Sequence, residues 1–264
     1  MSYPTIRLEP AGDAAEGLWL LTLNRPEAMN AMNTQMFIDL RAAMRELAVR
    51  SDARVLILTG AGERAFSVGG DLKERNGMSD ETWRAQHQLI EEAFLAVKDF
   101  ALPVIAAVEG HAHGGGLELA LMCDFIIASN SAAFSLPEVK RGILPGGGGV
   151  QNLVRAVGMR RAKQLLFSGG SFKAGQALDW GMVNETVAPG TALARSLEIA
   201  REIVAAAPMS VRYVKLAASR GGEVDFHTGY MLDLAAYNVL VSSQDRLEGV
   251  QAFNERRAPN WRNC

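Results

Sequence analysis

Cysteine is nearly absent from this chain of 264 residues. Cys123 and Cys264 are the only two, which excludes a disulfide framework. Cys123 reads as a small core residue and Cys264 as an exposed thiol at the tail. An excess of charge of one sign is missing as well. Lys and Arg number 27 against 29 Asp and Glu, a formal net charge of −2, so no overall basic surplus points to nucleic acid or to an acidic membrane. No apolar run approaches the length of a bilayer span. The opening MSYPTIRLEP has neither a basic n-region nor an apolar h-region, and a soluble protein in a reducing, cytoplasmic setting is the expectation. The glycines at 146–149 are not followed by the Lys-Ser/Thr of a phosphate loop, and no complete G-x-G-x-x-G follows a strand. His111 and His113 lack a third ligand in view, so no metal is expected. No internal repeat or low-complexity segment stands out.

What remains is an ordinary globular composition, 48% hydrophobic and 21% charged, organised around residues 103–124, PVIAAVEGHAHGGGLELALMCD. Val104 to Val108 is a short apolar run suited to a strand covered on both faces. Three glycines follow, then the helix formers Leu117, Leu119, Ala120, Leu121 and Met122, with Glu118 among them. A carboxylate in so apolar a segment is costly to bury unless paired or put to use. Gly114 to Gly116 let backbone approach a ligand and aim free N–H groups at developing negative charge. On these residues alone the stretch reads equally as tight packing with Glu118 facing solvent at a helix end. A second glycine turn, AFSVGGDLK at 65–73, follows the apolar strand Val55 to Leu58. Two such turns can supply one N–H each to a single oxyanion.

Taken in order, Thr5 to Glu9 and Leu18 to Leu23 predict an antiparallel hairpin around the turn-rich AGDAAEG at 11–17. Asn33 and Thr34 offer cap chemistry for a helix to about Val49, and Met78-Ser79-Asp80 opens another to about Phe100. Strands are expected at Val55 to Thr59, Phe125 to Ala128 and Ala133-Phe134, and a helix after Pro145-Gly149. From Arg160 the pattern is mainly helical, with breaks at Gly169-Gly170, Pro189-Gly190, Pro208 and Gly221-Gly222. Strands alternating with helices predict an α/β fold with parallel crossovers. Glu138 is a second carboxylate of interest, though a surface pair with Lys140 or Arg141 is the stronger reading of its neighbourhood alone.

Several segments carry a resemblance to a known family. AFSVGGDLKE (65–74), GHAHGGGLELALMCD (110–124), FSLPEVKRGILPGGGG (134–149), NRPEAMNAMN (24–33), VGMRRAKQLLFSG (157–169) and DRLEGVQAFNERRAP (245–259) together span nearly the whole chain. They are similar to the enoyl-CoA hydratase/isomerase family, the crotonase superfamily. The resemblance implies a crotonase-like spiral of ββα units over 1–195 and a C-terminal helical trimerisation region over 196–264. It also implies a homotrimer, or a homohexamer built as a dimer of trimers.

The same resemblance implies that Glu118 activates water and Glu138 protonates C2, with the Gly70 and Gly115 amides as the oxyanion hole. By it, Arg25, Ala28, Asp71, Leu72 and Lys73 flank the path of an acyl-CoA substrate, and Arg256 meets a CoA phosphate from a neighbouring subunit. As a residue alone, Arg256 reads equally as a solvated cation beside Glu255, and Asp71 and Asp124 read as structural caps near glycine turns. His113 stands at a position that could tune the acyl pocket. The implied activity is reversible hydration of a trans-2-enoyl-CoA to a 3-hydroxyacyl-CoA, with no cofactor beyond the coenzyme A of the substrate. DLKER, GGGLELAL, PGGGG, GEVDFHTG and DRLEG look especially similar to methylglutaconyl-CoA hydratases, so a branched, carboxylated substrate is an alternative, as is double-bond isomerisation. RNA binding, a second role within that subfamily, would call for a lysine-rich helix before the Val55 strand. Residues 37–50 carry Arg41, Arg45 and Arg50 without a lysine, a mixed solvated face.

Overall fold

The computed structural model describes residues 2–12 and 17–264, so the centre of the turn expected at 11–17 lies outside the described residues. On either side of it, β1 (Ile6–Pro10) and β2 (Leu18–Leu23) pair antiparallel with Ile6 opposite Leu23, as the hairpin pattern predicts. Asn33 then caps α1 (Thr34–Ala48) by accepting the Met36 N–H, and the helix buries Met36, Phe37, Leu40, Ala43, Met44 and Leu47 along one stripe. Buried Asp39 on the same helix accepts both the N–H and the hydroxyl of Thr5, tying α1 to the start of β1.

From there one step repeats: a strand of a first sheet, a short strand of a second sheet, then helix. β3 (Val55–Gly60) leads to β4 (Ala65–Ser67), α2 (Leu72–Arg75) and α3 (Asp80–Lys98). β5 (Val104–Val108) leads to β6 (His111–His113) and α4 (Gly115–Ala120). β7 (Phe125–Ser129) leads to β8 (Ala133–Ser135), a 3-10 turn at Glu138–Arg141 and α5 (Gly149–Val157). This is the spiral of ββα units that the resemblance implies. α6 (Met159–Ser168), β9 (Phe172–Lys173), α7 (Ala174–Asp179), β10 (Glu185–Val187) and α8 (Ala192–Val204) complete the body, and α9 (Pro208–Gly221), α10 (Phe226–Val241) and α11 (Gln244–Glu255) follow.

The first sheet has the order β1-β2-β3-β5-β7-β10, parallel from β2 onward. The second has the order β4-β6-β8-β9. Strands covered on both faces need unbroken apolar runs, and every residue of β5 is buried. One face of the large sheet packs with α1 and α3, where Phe37 meets Phe94 edge to face at 6.2 Å. The other face meets α8, whose Ala192 and Ala200 join Leu18, Val55, Ile57, Ile105 and Ile127 in a second apolar cluster. The boundary expected between 195 and 196 falls inside α8. β4, β6, β9 and β10 have two or three residues each and were not expected as strands; runs this short carry no readable period. Among the described residues no helix is long and apolar enough to cross a membrane.

Candidate active site

α4 is short, and its position follows from the glycines before it. Gly114 leaves β6 with φ 54° and ψ −130°, a conformation that side-chain-bearing residues rarely adopt. The chain then turns into a helix whose residues from Gly116 to Ala120 are all buried. As the first residue of that helix, Gly115 has an N–H without an intrahelical acceptor. Gly70 reaches the same place from the other turn. The backbone bridge there uses the Met32 N–H to Gly69 O (2.8 Å) and the Asp71 N–H to Met32 O (2.9 Å), which leaves the Gly70 N–H outside the ladder. The two turns touch: a Cβ placed on Gly69 would stand 2.7 Å from the Gly115 nitrogen, and one on Gly115 would stand 3.7 Å from the Gly70 nitrogen.

Glu118 lies one helical turn beyond Gly115 and is 5% exposed. Its Oε1 accepts the N–H groups of Gly147 (2.7 Å) and Gly149 (2.9 Å). Burial pushes its carboxyl up from 4.5 to about 7, with the charge of Glu138 adding to the rise; the two amide bonds and Arg75 act in the opposite sense. Glu138 opens the 3-10 turn. Burial raises its carboxyl too, and among the described residues its buried Oε2 has no hydrogen-bond partner. Two raised carboxyls in one wall are suited to holding one proton between them, one as acid and the other as base.

Glu118, Glu138, Gly70 and Gly115 line a single cavity of about 1020 Å³, a volume at the upper end of what small-molecule sites occupy. Arg25, Ala28, Asp71, Leu72 and Lys73 line it as well. Arg25 is held there by Asp71 at 2.9 Å, and Asp71 also caps α2 by accepting the N–H groups of Lys73 and Glu74. Arg256 is not in this wall. It is exposed at the end of α11, and the cation that pairs with Glu255 is its neighbour Arg257. Asp124 is likewise elsewhere, binding the Val104 N–H and Lys215, each at 2.7 Å. His113 lines the cavity, its buried Nε2 without a hydrogen-bond partner among the described residues, and burial, with the neighbouring His111, lowers its pKa.

Three features of the wall have no counterpart in the sequence reading. The amides of Gly147 and Gly149 hold Glu118 from 29 and 31 residues away; the glycine run was visible but offered no sign of its acceptor. Arg75, at the end of DLKER, and His87, on α3, enter the cavity only through the packing of α2 and α3.

Comparison with known proteins agrees with this architecture. The family model for enoyl-CoA hydratase/isomerase matches residues 13–263. The short-chain-enoyl-CoA hydratase of Clostridium acetobutylicum is 39% identical over 257 residues, 97% of each chain. The mouse mitochondrial enoyl-CoA hydratase domain-containing protein 2 is 40% identical over 262 residues, 98% of this chain and 88% of that one. A crystal structure of an enoyl-CoA hydratase from Bacillus anthracis superposes with a TM-score of 0.95 at 38% identity, covering 98% of this chain and all of its own.

Proposed function

The chain belongs to the enoyl-CoA hydratase/isomerase family, and from that premise we propose that it adds water reversibly across the C2=C3 bond of a trans-2-enoyl-CoA to give a 3-hydroxyacyl-CoA. One observation carries the reading: a buried carboxyl and a half-buried one, both raised, share a cavity with two unladdered glycine amides. The thioester oxygen sits between the Gly70 and Gly115 N–H groups, which strengthen their hold as enolate-like charge develops. Such donors are worth about 3–4 kcal/mol each in comparable sites.

Glu118 takes a proton from a water whose oxygen bonds to C3. The π pair moves toward the thioester, and C2 receives a proton from Glu138. Glu118 ends protonated and Glu138 ionised, and exchange with solvent resets the pair. The pantetheine and nucleotide lie along Arg25, Ala28, Leu72 and Lys73, and their remote binding energy orients the acyl end.

The roles set the sign of the pH dependence. Glu118 must be ionised to act as base and Glu138 protonated to act as acid, so kcat/KM for crotonyl-CoA, measured as loss of enoyl absorbance, follows a bell that falls on the acid side as Glu118 takes up a proton and on the alkaline side as Glu138 loses its own. Activity that is flat from pH 5 to 8 would remove Glu118 from the role of base.

A trimer, or a dimer of trimers, belongs to the same proposal. α10 leaves Phe226, Met231 and Tyr237 at 77%, 65% and 66% exposure, an apolar helix that a second copy of the chain would cover. Arg256 would then meet a CoA phosphate across the subunit boundary. Light scattering should give three or six times the 28.5 kDa chain mass, and Met231→Glu with Tyr237→Glu should lower it. A monomer in the wild type would contradict this arrangement.

A further inference from the structure

Four consecutive glycines, Gly146 to Gly149, form the most permissive kind of backbone, which keeps one path only where its neighbours impose it. Here the neighbours stand on both sides. On the α4 side, Glu118 accepts the Gly147 and Gly149 amides at 2.7 and 2.9 Å, and a Cβ on Gly148 would lie 2.6 Å from Met122 Cε. On the α3 side, a Cβ on Gly146 would stand 2.5 Å from His87 Cε1, and one on Gly147 would stand 2.7 Å from Phe94 Cδ2. His87 and Phe94 are two helical turns apart and share one face of α3. Rings so near leave room for backbone alone, so His87 lies directly on Gly146, the residue before the first amide donor. Phe94 belongs to the core. His87 lines the cavity instead, and its Nε2 stands 3.3 Å from Glu91 Oε1 one turn further on, which restrains the ring.

The two amides matter to Glu118 because they oppose its burial and favour the ionised carboxylate. Other groups face the same carboxyl. Glu138 on the 3-10 turn raises it and Arg75 on α2 lowers it, while His87 and its partner Glu91 stand on α3, across the glycine run. If the run drifts away from α4, the amide bonds are given up, and the carboxyl holds its proton to higher pH.

We infer that His87 is a positioning residue for the base: its ring, braced by Glu91, presses Gly146 to Gly149 onto Glu118 and keeps the two amides aimed at Oε1. It acts through the shape of its ring and the backbone beneath it. This rests on the reading of Glu118 as the base of the proposed hydration. The test compares the wild type with His87→Ala, which removes the ring, and His87→Phe, which keeps a ring without a titratable group. The acid limb of kcat/KM for crotonyl-CoA should move up by about one pH unit in His87→Ala, a tenfold change in ionisation, as a charge-assisted hydrogen bond is largely lost. In His87→Phe it should stay at the wild-type position. A second readout needs no turnover: Glu118→Gln is added to each protein, and the pH at which its stabilising effect levels off marks the titration of Glu118 in the fold. That plateau should begin about one pH unit higher in the His87→Ala background than in the wild type. A plateau unmoved by His87→Ala would overturn the inference, and so would an equal shift in His87→Phe, which would assign the effect to the charge of His87. If the wild type fails to hydrate crotonyl-CoA while the plateau still moves, the proposed reaction falls and the role of His87 stands. Hydration with an unmoved plateau is the reverse.

Discussion

Glu118→Gln is expected to slow the hydration of crotonyl-CoA by about 10²- to 10⁴-fold, the usual worth of a general acid–base group, while making the protein more stable at neutral pH. Both effects come from one placement. The carboxyl is buried against the Gly147 and Gly149 amides, and its pKa stands at about 7 in the folded protein against an ordinary 4.5. A carboxyl whose folded pKa is raised stabilises the fold most while it is neutral in both states, below about pH 4.5. Stability is then lost as pH rises to about 7 and is constant above that. Glutamine cannot ionise, yet its Oε1 can still accept the Gly147 and Gly149 amides.

The variant should therefore match the wild type at pH 4 and exceed it at pH 8 by on the order of 2 kcal/mol, about 4–8 °C in melting temperature. Thermal scans at the two pH values, beside the rate assay, check this. Retained activity would remove Glu118 from the chemistry, and equal melting temperatures at pH 8 would remove the burial penalty. Glu138→Gln should slow hydration over a similar range, since the proton for C2 then has no donor.

Gly116→Ala is expected to disturb the site through its frame. A Cβ at Gly116 would stand 2.1 Å from the Ser67 carbonyl oxygen and 2.7 Å from its carbon, distances that require backbone to move. Ser67 cannot yield easily, because its hydroxyl donates to Asn30 O at 2.7 Å and accepts the Gly69 N–H at 3.1 Å. Alanine favours a helix over glycine by about 1 kcal/mol, too little to offset overpacking that costs about 3 kcal/mol or more. The melting temperature should fall by about 6–12 °C. Activity should fall with it, since α4 carries both Glu118 and the Gly115 amide. Gly175→Ala in α7, where nothing lies within 4 Å of the added Cβ, is the control and should leave stability unchanged or slightly raised. If both variants melt together, the contact between α4 and β4 is not rigid.

These two positions also mark what was legible in the sequence. Glu118 stands out because a carboxylate inside GGGLELAL is conspicuous in any apolar run, and the parallel strands Val55–Gly60 and Val104–Val108 stand out because burial on both faces demands unbroken apolar residues. Caps were equally legible, with Asn33 and Ser79 accepting helix amides as their side chains suggest. The close approach of Gly116 to Ser67 was not legible, because it joins residues 49 positions apart across β4, a strand of three residues. The pairing of Gly147 and Gly149 with Glu118 was hidden for the same reason. Arg75 belongs with them: a cation in the acyl pocket had no sequence signal, since only the packing of Trp83 and Gln86 on α3 turns it toward Gly70.

The central claim is that this cavity adds water to an enoyl thioester, and the most direct test is the product formed from crotonyl-CoA by the purified wild type, followed by mass. The account predicts rapid loss of enoyl absorbance with gain of one water, giving 3-hydroxybutyryl-CoA. Absence of any conversion, or a product of unchanged mass, would contradict it.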